Sequence, residues 1–256
     1  MRGSVALHVA AGAVAAVRPH LWPWGLGAVV ADHLVITAAG LWPRGTLLGP
    51  NWTQLPAGAA ARAEVAITID DGPDPAVTPA LLALLESHGA RASFFCVGER
   101  VAHFPQLARE IAARGHDVEN HSQRHLHRFS LLGPRGLRAE IERAQLCIAQ
   151  TTGAAPRFFR APAGLRNPFL EPVLARLGLE LVSWTRRGLD TVSRNPARVL
   201  ARLTRDLRAG DILLLHDAHA SHTVAGVPLV LEVLPRLLEA VRRAGLAPVT
   251  LRAAHP

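Results

Sequence analysis

The sequence predicts an α/β protein, a distorted (β/α) barrel of about seven strands preceded by an apolar N-terminal helical segment. From residue 64 onward, short apolar or β-branched runs alternate with segments of helical spacing. This alternation is typical of parallel strands joined by crossover helices. So many units within about 190 residues fit a closed or nearly closed barrel better than an open sheet.

The predicted strands are short runs, several of them bounded by turn residues. In chain order they are EVAITID (64–70), ASFFCVG (92–98), 116–120, RFFR (157–160), LELVSW (179–184), DILLLH (211–216) and APVTL (247–251). Helical spacing of apolar residues predicts the intervening helices. These are 76–87, 105–114, 137–150, 168–177, 196–208 and 228–244.

The composition divides the chain into an apolar segment over 1–45, a linker over 46–62 and the barrel over 63–256. The stretch from 21 to 42 is apolar except for Asp32 and His33, with Trp at both ends, which favours a membrane anchor or hairpin. Asp32 argues against a simple span, because an acidic side chain within a membrane is costly unless it is paired. The apolar stretch still leads us to expect membrane association in a bacterial inner membrane or cell envelope, and the sequence leaves the topology open. Two apolar helices packed on the barrel are the alternative.

The net charge of +8 does not indicate a nucleic-acid partner, because every basic residue is Arg and the Arg residues are spread out without a basic stripe. We expect no nucleic-acid binding. The two cysteines, Cys96 and Cys147, lack CxxC spacing and are expected to be buried free thiols.

Polar side chains fall at one end of the predicted strands. They are Asp70 and Asp71, His121 and His125, Arg160, Asp190, and His216 with Asp217. The carboxyl ends of barrel strands form one face, so residues distant in sequence meet there. This distribution predicts an active site at that face.

One carboxylate and two imidazoles, from Asp71, His121 and His125, make a metal triad that leaves positions open for water or substrate. The i, i+4 spacing of the histidines brings both rings to one side if their loop is helical. A bound metal ion fits this set.

The remaining polar residues suit acid and base roles. Adjacent side chains diverge in an extended strand, which frees Asp70 to act as a general base with Arg160 beside it. His216 suits a general acid whose other ring nitrogen bonds Asp190. The residues that follow it in a loop are expected to lie on the rim rather than to bind metal. They are Asp217, His219 and His222.

Four ordered motifs resemble the signature of the polysaccharide deacetylase (NodB-homology) family, carbohydrate esterase family 4, over about residues 63–251. They are Thr68-Ile69-Asp70-Asp71-Gly72-Pro73, His121-Ser122-Gln123-Arg124-His125, Arg160-Ala161-Pro162-Ala163-Gly164 and Leu214-Leu215-His216. The resemblance implies hydrolysis of an N-acetyl group from an amino sugar or polysaccharide with a divalent cation. Zn²⁺ is the expected ion, and Co²⁺, Ni²⁺ or Mn²⁺ are alternatives. The resemblance also implies the roles given above for the metal triad, base, arginine and acid.

The same resemblance implies that Leu214 lines the acyl-methyl pocket and that the backbone N–H of Ala163, between Pro162 and Gly164, joins the oxyanion site. Ala163 stands where an aromatic residue is common and Thr191 where Trp is frequent, which puts a groove for long glycans in doubt. A deacylase or deformylase acting on a lipid-linked or small amino sugar is therefore one alternative. A catalytically silent glycan-binding barrel is the other.

Overall fold

The computed structural model describes residues 2–255 and contains a sheet of parallel strands at the centre of the molecule. The strands are β1 Glu64–Asp70, β2 Ser93–Cys96, β3 Asp117–Asn120, β4 Phe158–Phe159, β5 Glu180–Leu181, β6 Arg186–Arg187, β7 Ile212–His216 and β8 Ala247–Val249. Their order along the sheet is β5-β4-β3-β2-β1-β7-β6, and β8 pairs with the first half of β1.

The sheet curls into a distorted barrel, as predicted. The strands at its two edges, β5 and β6, are joined by residues 182–185 alone. A connection this short requires the two edges of the sheet to lie close together. The predicted strand over 179–184 was too long, because its regular pairing stops at Leu181. The chain then crosses the gap and pairs again as β6, a strand that was not predicted.

The first two helices form a separate hairpin, and the remaining helices pack around the sheet. The long N-terminal ones are α1 Arg2–Val17 and α2 Trp22–Leu41, and the others are α3 Ala57–Ala61, α4 Thr78–Ser87, α5 Gly98–His103, α6 Pro105–Ala113, α7 Pro134–Thr152, α8 Leu170–Leu177, α9 Pro196–Thr204, α10 Leu229–Arg243 and α11 Leu251–Ala254. Several begin with Pro in the first turn, where no N–H partner is needed. The helices α3, α5 and α11 were not predicted, because they are too short to show a helical period.

The alternation of side chains along β1 separates the two layers of the core. Val65, Ile67 and Ile69 pack outward against the helices, with Leu213 and Leu215 of β7 beside them. Every second residue of an extended strand faces the opposite side. Ala66 accordingly belongs to a separate inner cluster. Asp70, the polar residue at the end of the same face, points into the barrel mouth. Cys96 is buried and Cys147 half-buried, both as free thiols.

The two N-terminal helices pack against each other, and a Cβ at Gly25 would lie only 3.4 Å from the Cβ of Ala11. Asp32, the acidic residue of α2, accepts a hydrogen bond of 2.5 Å from the hydroxyl of Ser4. The stretch Pro19–Leu41 is long and apolar enough to cross a membrane and is hardly buried in the protein. Most of the exposed large apolar side chains of the described residues lie on this hairpin.

The residues predicted as a linker are docked along the barrel. The N–H of Trp52 donates to Leu181 at 2.8 Å, and the Trp52 carbonyl accepts from Ser183 at 2.8 Å. The Trp52 ring lies 5.1 Å from the Phe158 ring, and Leu55 is bonded to Gly210. This segment therefore closes the open side of the barrel next to β5. The division into three regions stays a prediction, but 46–62 does not form a free tether.

Candidate active site

Asp70 and Asp71 lie at the carboxyl end of β1, in the middle of the sheet. Asp70 is the last residue of the inward face, after Ala66 and Thr68. Asp71 has φ +78°, so the chain leaves the extended conformation there and its carboxylate also turns toward the barrel mouth. The expectation that the two side chains diverge was wrong for this reason, although they contact different partners.

Asp71, His121 and His125 form a compact cluster whose possible ligand atoms all lie within 4.8 Å of one another. The Nε2 atoms of both histidines lie 3.3 Å from Oδ1 of Asp71. That oxygen is buried and has no hydrogen-bond partner among the described residues. The Nδ1 of His121 donates to the carbonyl of Arg160 at 2.8 Å, which leaves Nε2 as the free ligand atom. The residues present thus fit a divalent cation.

The loop that carries the two histidines is not helical. Both Ser122 and His125 have positive φ, at +65° and +49°. The hydroxyl of Ser122 accepts from the N–H of His125 at 3.1 Å and stabilises this tight turn. The i, i+4 spacing therefore brings the rings together through a turn and not through a helical face.

His219 is a neighbour of the cluster that sequence reasoning placed on the rim. It is exposed, as expected, yet its Nδ1 lies 2.8 Å from Oδ2 of Asp71, the oxygen opposite the two other histidines. This hydrogen bond raises the pKa of His219. The signal in the sequence was its position in the loop after β7, the strand that pairs with β1.

Asp217 was also predicted on the rim but is buried beneath it. Its carboxylate accepts from the hydroxyl of Thr78 at 2.8 Å and from the N–H of Ala218 at 2.6 Å. Burial raises the pKa of Asp217 to about 7. The expectation of a rim residue was wrong because the chain turns inward directly after His216, whereas His222 is exposed.

Arg160 is buried beside Asp70. Its guanidinium donates to Oδ1 of Asp70 at 2.6 Å, to the hydroxyl of Thr68 at 2.8 Å and to the carbonyl of Ser183 at 2.7 Å. It also lies over the Phe95 ring, 4.1 Å from the centroid. The arginine is held on all sides, so the orientation of the Asp70 carboxylate is held as well.

His216 and Asp190 form a second pair across the same mouth. The Nδ1 of His216 lies 2.9 Å from Oδ1 of Asp190, and the N–H of His216 donates to the other oxygen at 2.7 Å. Burial by itself lowers the pKa of His216. The Asp190 hydrogen bond and charge, with Asp70 and Asp71 nearby, outweigh burial and raise that pKa to about 8.

Asp70, the Asp71 cluster and His216 line one cavity of about 450 Å³, while Arg160 and Asp190 are buried behind them. Most, but not all, of the substrate-binding residues expected from the sequence line this cavity. Leu214, Ala163 and Gly164 line the cavity, but Pro162 is buried and does not. Ala163 has φ +55°, which turns its peptide toward the mouth.

Three arginines on the wall of the cavity were not singled out from the sequence. They are Arg100, Arg124 and Arg187. Arg124 lies within the motif of the two histidines, but nothing in the sequence indicates that it shares a cavity with Arg100 and Arg187, because only the assembled barrel brings the three to one opening.

The sequence is similar to that of known proteins. The family described as polysaccharide deacetylase matches residues 57–182. A chitooligosaccharide deacetylase of Bradyrhizobium is 35% identical over 156 residues, which cover 60% of this chain and 71% of the relative. A peptidoglycan-N-acetylglucosamine deacetylase of Bacillus cereus is 32% identical over 176 residues, covering 67% of this chain and 82% of the relative.

The structural comparison agrees with the sequence comparison. A family 4 carbohydrate esterase from Streptomyces lividans, solved in complex with acetate, has a TM-score of 0.66 at 33% identity. It covers 73% of this chain, which in turn covers 91% of that structure. Sequence and fold therefore lead to the same conclusion: the chain belongs to the polysaccharide deacetylase family and is a metal-dependent hydrolase of the carbohydrate esterase class.

Proposed function

We propose that this protein hydrolyses the N-acetyl group of an N-acetylated amino sugar, using Asp70 and His216 as base and acid. The observation that carries the proposal is that Asp70, the Asp71 cluster and His216 line one cavity, with Arg160 bonded to Asp70 and Asp190 bonded to His216 from behind. Amide hydrolysis needs a base for water and an acid for the departing nitrogen.

Asp71, His121 and His125 are the residues that would hold the metal, and Zn²⁺ is the ion that we propose. A divalent ion bound there supplies Lewis acidity toward the amide carbonyl and toward the attacking water. The partnerless Oδ1 of Asp71 and the free Nε2 of His121 support this assignment. His219 on the other Asp71 oxygen orients the carboxylate.

Asp70 takes the proton from the attacking water in this proposal. One of its oxygens is bonded to Arg160 at 2.6 Å, and the other lies 3.9 Å from Nε2 of His121, on the side of the metal cluster. The oxygen that the arginine does not hold is the one placed to accept the proton from water.

His216 gives a proton to the leaving nitrogen. Its Nδ1 is committed to Asp190, so Nε2 is the atom that carries the transferable proton. The pKa of about 8 keeps this ring protonated at neutral pH, as the acid role requires.

Leu214 is the residue that we propose to contact the methyl of the acetyl group. Leu214 pairs in register with Thr68 of β1 and lies two residues before His216. It supplies an apolar surface for the methyl group, and we propose that the N–H of Ala163 donates to the carbonyl oxygen as negative charge develops.

The proposed substrate class follows from what the relatives act on. The Bradyrhizobium relative is named for chitooligosaccharides and the Bacillus cereus relative for peptidoglycan N-acetylglucosamine. N-acetylglucosamine units are common to both. We also propose that the hairpin of α1 and α2 holds the protein at a membrane, because its apolar side chains are exposed.

The test is acetate release from N-acetylglucosamine oligomers by the full chain purified in detergent and supplied with Zn²⁺. We expect release that requires metal and falls to background in the Asp70→Asn variant. Bound Zn²⁺ with no release from any N-acetylated sugar would overturn the proposed function and favour a silent glycan-binding barrel.

A further inference from the structure

Arg187 faces the inside of the barrel. It pairs in register with Leu214 of β7, and Leu214 pairs in register with Thr68 of β1. Residues in register on neighbouring strands point to the same side of a sheet. The Thr68 hydroxyl accepts from Arg160 inside the barrel, so Arg187 is directed to the same interior and lines the cavity.

Among the acidic groups of residues 2–255, none compensates the charge of Arg187. Among the described residues it makes no ion pair or hydrogen bond through its side chain, and its Nε is buried without a partner. The two other arginines of the cavity are both paired. Arg124 lies 2.6 Å from Glu140 and Arg100 lies 3.4 Å from Asp74. Arg187 is therefore the arginine of this cavity with donors to spare.

The Arg187 guanidinium is nevertheless held in place. It lies 5.4 Å from the centroid of the Trp184 ring, and this indole is itself buried. Stacking on an aromatic face orients the planar group and leaves its edge free to bond. An oriented, unpaired guanidinium suits two-point recognition of an oxyanion.

The two aspartates that line the cavity are engaged with partners other than Arg187. Asp70 is bonded to Arg160, and Asp71 is surrounded by imidazoles. Partly burying a charge without a partner costs free energy, which a bound anion recovers. The further acidic residue on the wall, Glu99, makes no ion pair with Arg187, so an anionic group with two acceptor oxygens suits the Arg187 guanidinium.

The side of the cavity formed by Trp184 also adjoins the N-terminal hairpin. Pro43 lies two residues after the end of α2, and its carbonyl accepts from the hydroxyl of Ser183 at 2.6 Å. A Cβ on Gly164 would meet both the Trp184 ring and Pro43. Arg44 donates to the carbonyl of Thr185 at 3.1 Å. The end of the apolar hairpin thus lies against the wall that carries Arg187.

We propose that Arg187 binds a phosphate group on the amino sugar, so that the substrate is a phosphorylated N-acetylated sugar. This inference rests on the proposed deacetylation and names its substrate more closely. The phosphate has two sources, a lipid diphosphate in the membrane or a soluble sugar phosphate. The adjoining hairpin favours the lipid-linked form.

The experiment compares kcat/KM for three substrates: a neutral N-acetylglucosamine oligomer, N-acetylglucosamine 1-phosphate, and polyprenyl-diphosphate-linked N-acetylglucosamine in phospholipid vesicles. We expect Arg187→Gln to lower the ratio of phosphorylated to neutral kcat/KM by roughly tenfold to hundredfold, the loss for a hydrogen bond to a charged group. Arg187→Lys should recover part of that ratio. Arg194→Gln, at an exposed arginine outside the cavity, is the matched control.

The set of substrates whose kcat/KM falls in Arg187→Gln identifies the source of the phosphate. A change confined to the vesicle substrate supports the lipid-linked form, and a change in both phosphorylated substrates supports recognition of any sugar phosphate. An unchanged ratio in Arg187→Gln would overturn the inference while the proposed deacetylation stands.

A binding measurement separates failure of the inference from failure of the proposed function. In the Asp70→Asn background, calorimetry with N-acetylglucosamine 1-phosphate reads affinity without turnover. Weaker binding after adding Arg187→Gln supports the inference even if no substrate is hydrolysed. Equal affinity with and without Arg187 would contradict it.

Discussion

The guanidinium of Arg160 donates to Oδ1 of Asp70 at 2.6 Å in the interior of the barrel. The main-chain carbonyl of the same arginine accepts from Nδ1 of His121 at 2.8 Å. Arg160, which directly follows β4, therefore orients both the proposed base and one proposed metal ligand. This link explains how groups from three strands keep a fixed relation.

Replacing Arg160 should cost stability as well as activity. Arg160→Met leaves the buried Asp70 carboxylate without its partner, and we expect the free energy of unfolding to fall by about 3–5 kcal/mol. Chemical denaturation of metal-free protein measures this. Arg205→Met, at an arginine whose side chain is 84% exposed, is the control and should change stability little. A loss below about 1 kcal/mol for Arg160→Met would contradict the prediction.

Removal of a proposed metal ligand should remove the metal. We expect Asp71→Ala and His125→Ala to lose bound Zn²⁺, because each removes one of three protein ligands. Elemental analysis of the purified protein is the measurement. His127→Ala is a matched control, since His127 lines the same cavity outside the cluster. Full metal content in both ligand variants would rule out the assignment.

Asp70→Asn should separate metal binding from turnover. The amide cannot accept the proton from water, and we expect kcat to fall by roughly 10²- to 10⁴-fold with metal retained. Acetate release and elemental analysis on the same preparation test both parts. Near-normal kcat would mean that a different group is the base.

The pH dependence should report the acid. His216 must be protonated to act, so kcat/KM should fall as pH rises through its pKa of about 8. Asp190 raises that pKa and burial lowers it. Asp190→Asn removes the charge that raises the pKa of His216. The alkaline limb of the pH profile of kcat/KM should therefore move to lower pH by roughly one to three units. Asp206→Asn, at an exposed carboxylate, is the control, and an unmoved limb in Asp190→Asn would contradict the pairing.

Two truncations should behave differently. A chain without residues 1–38 keeps Gly40, whose carbonyl accepts from Arg166, and we expect it to fold and to hydrolyse soluble substrate without detergent. A chain without residues 1–55 also loses Trp52, which contacts Leu181, Ser183 and Phe158. Its thermal midpoint should be several degrees lower, because about 1 kcal/mol or more is lost. An unfolded shorter truncation would show that the hairpin belongs to the fold.

Much of the fold was predictable because it follows from local periodicity. The alternation along β1 places Ile67 and Ile69 against the helices and Asp70 at the barrel mouth, and this alternation is visible in the chain itself. The short strand β6 and the short helices α5 and α11 carry too few residues to show a period. Their existence depends on partners elsewhere in the chain, such as Leu214 for Arg187.

The candidate site was likewise predictable from the sequence only in part. The positions of Asp71, His121 and His125 at strand ends were sufficient to predict that they meet. The contact of His219 with Asp71 and the burial of Asp217 were not predictable, since both depend on how the loop after β7 folds back over β1. The turn geometry at Asp71, with φ +78°, likewise differs from the extended conformation expected from its neighbours.

The sequence by itself determined the alternating βα order and the chemical types of the groups at the strand ends, because both are properties of neighbouring residues. Only the tertiary structure decided which groups are paired and which are left unpaired. Arg160 is neutralised by Asp70, distant by 90 positions, whereas Arg187 has no acidic partner among the described residues. Charge compensation depends on distances in space, and those are set by strand register and barrel closure rather than by local pattern.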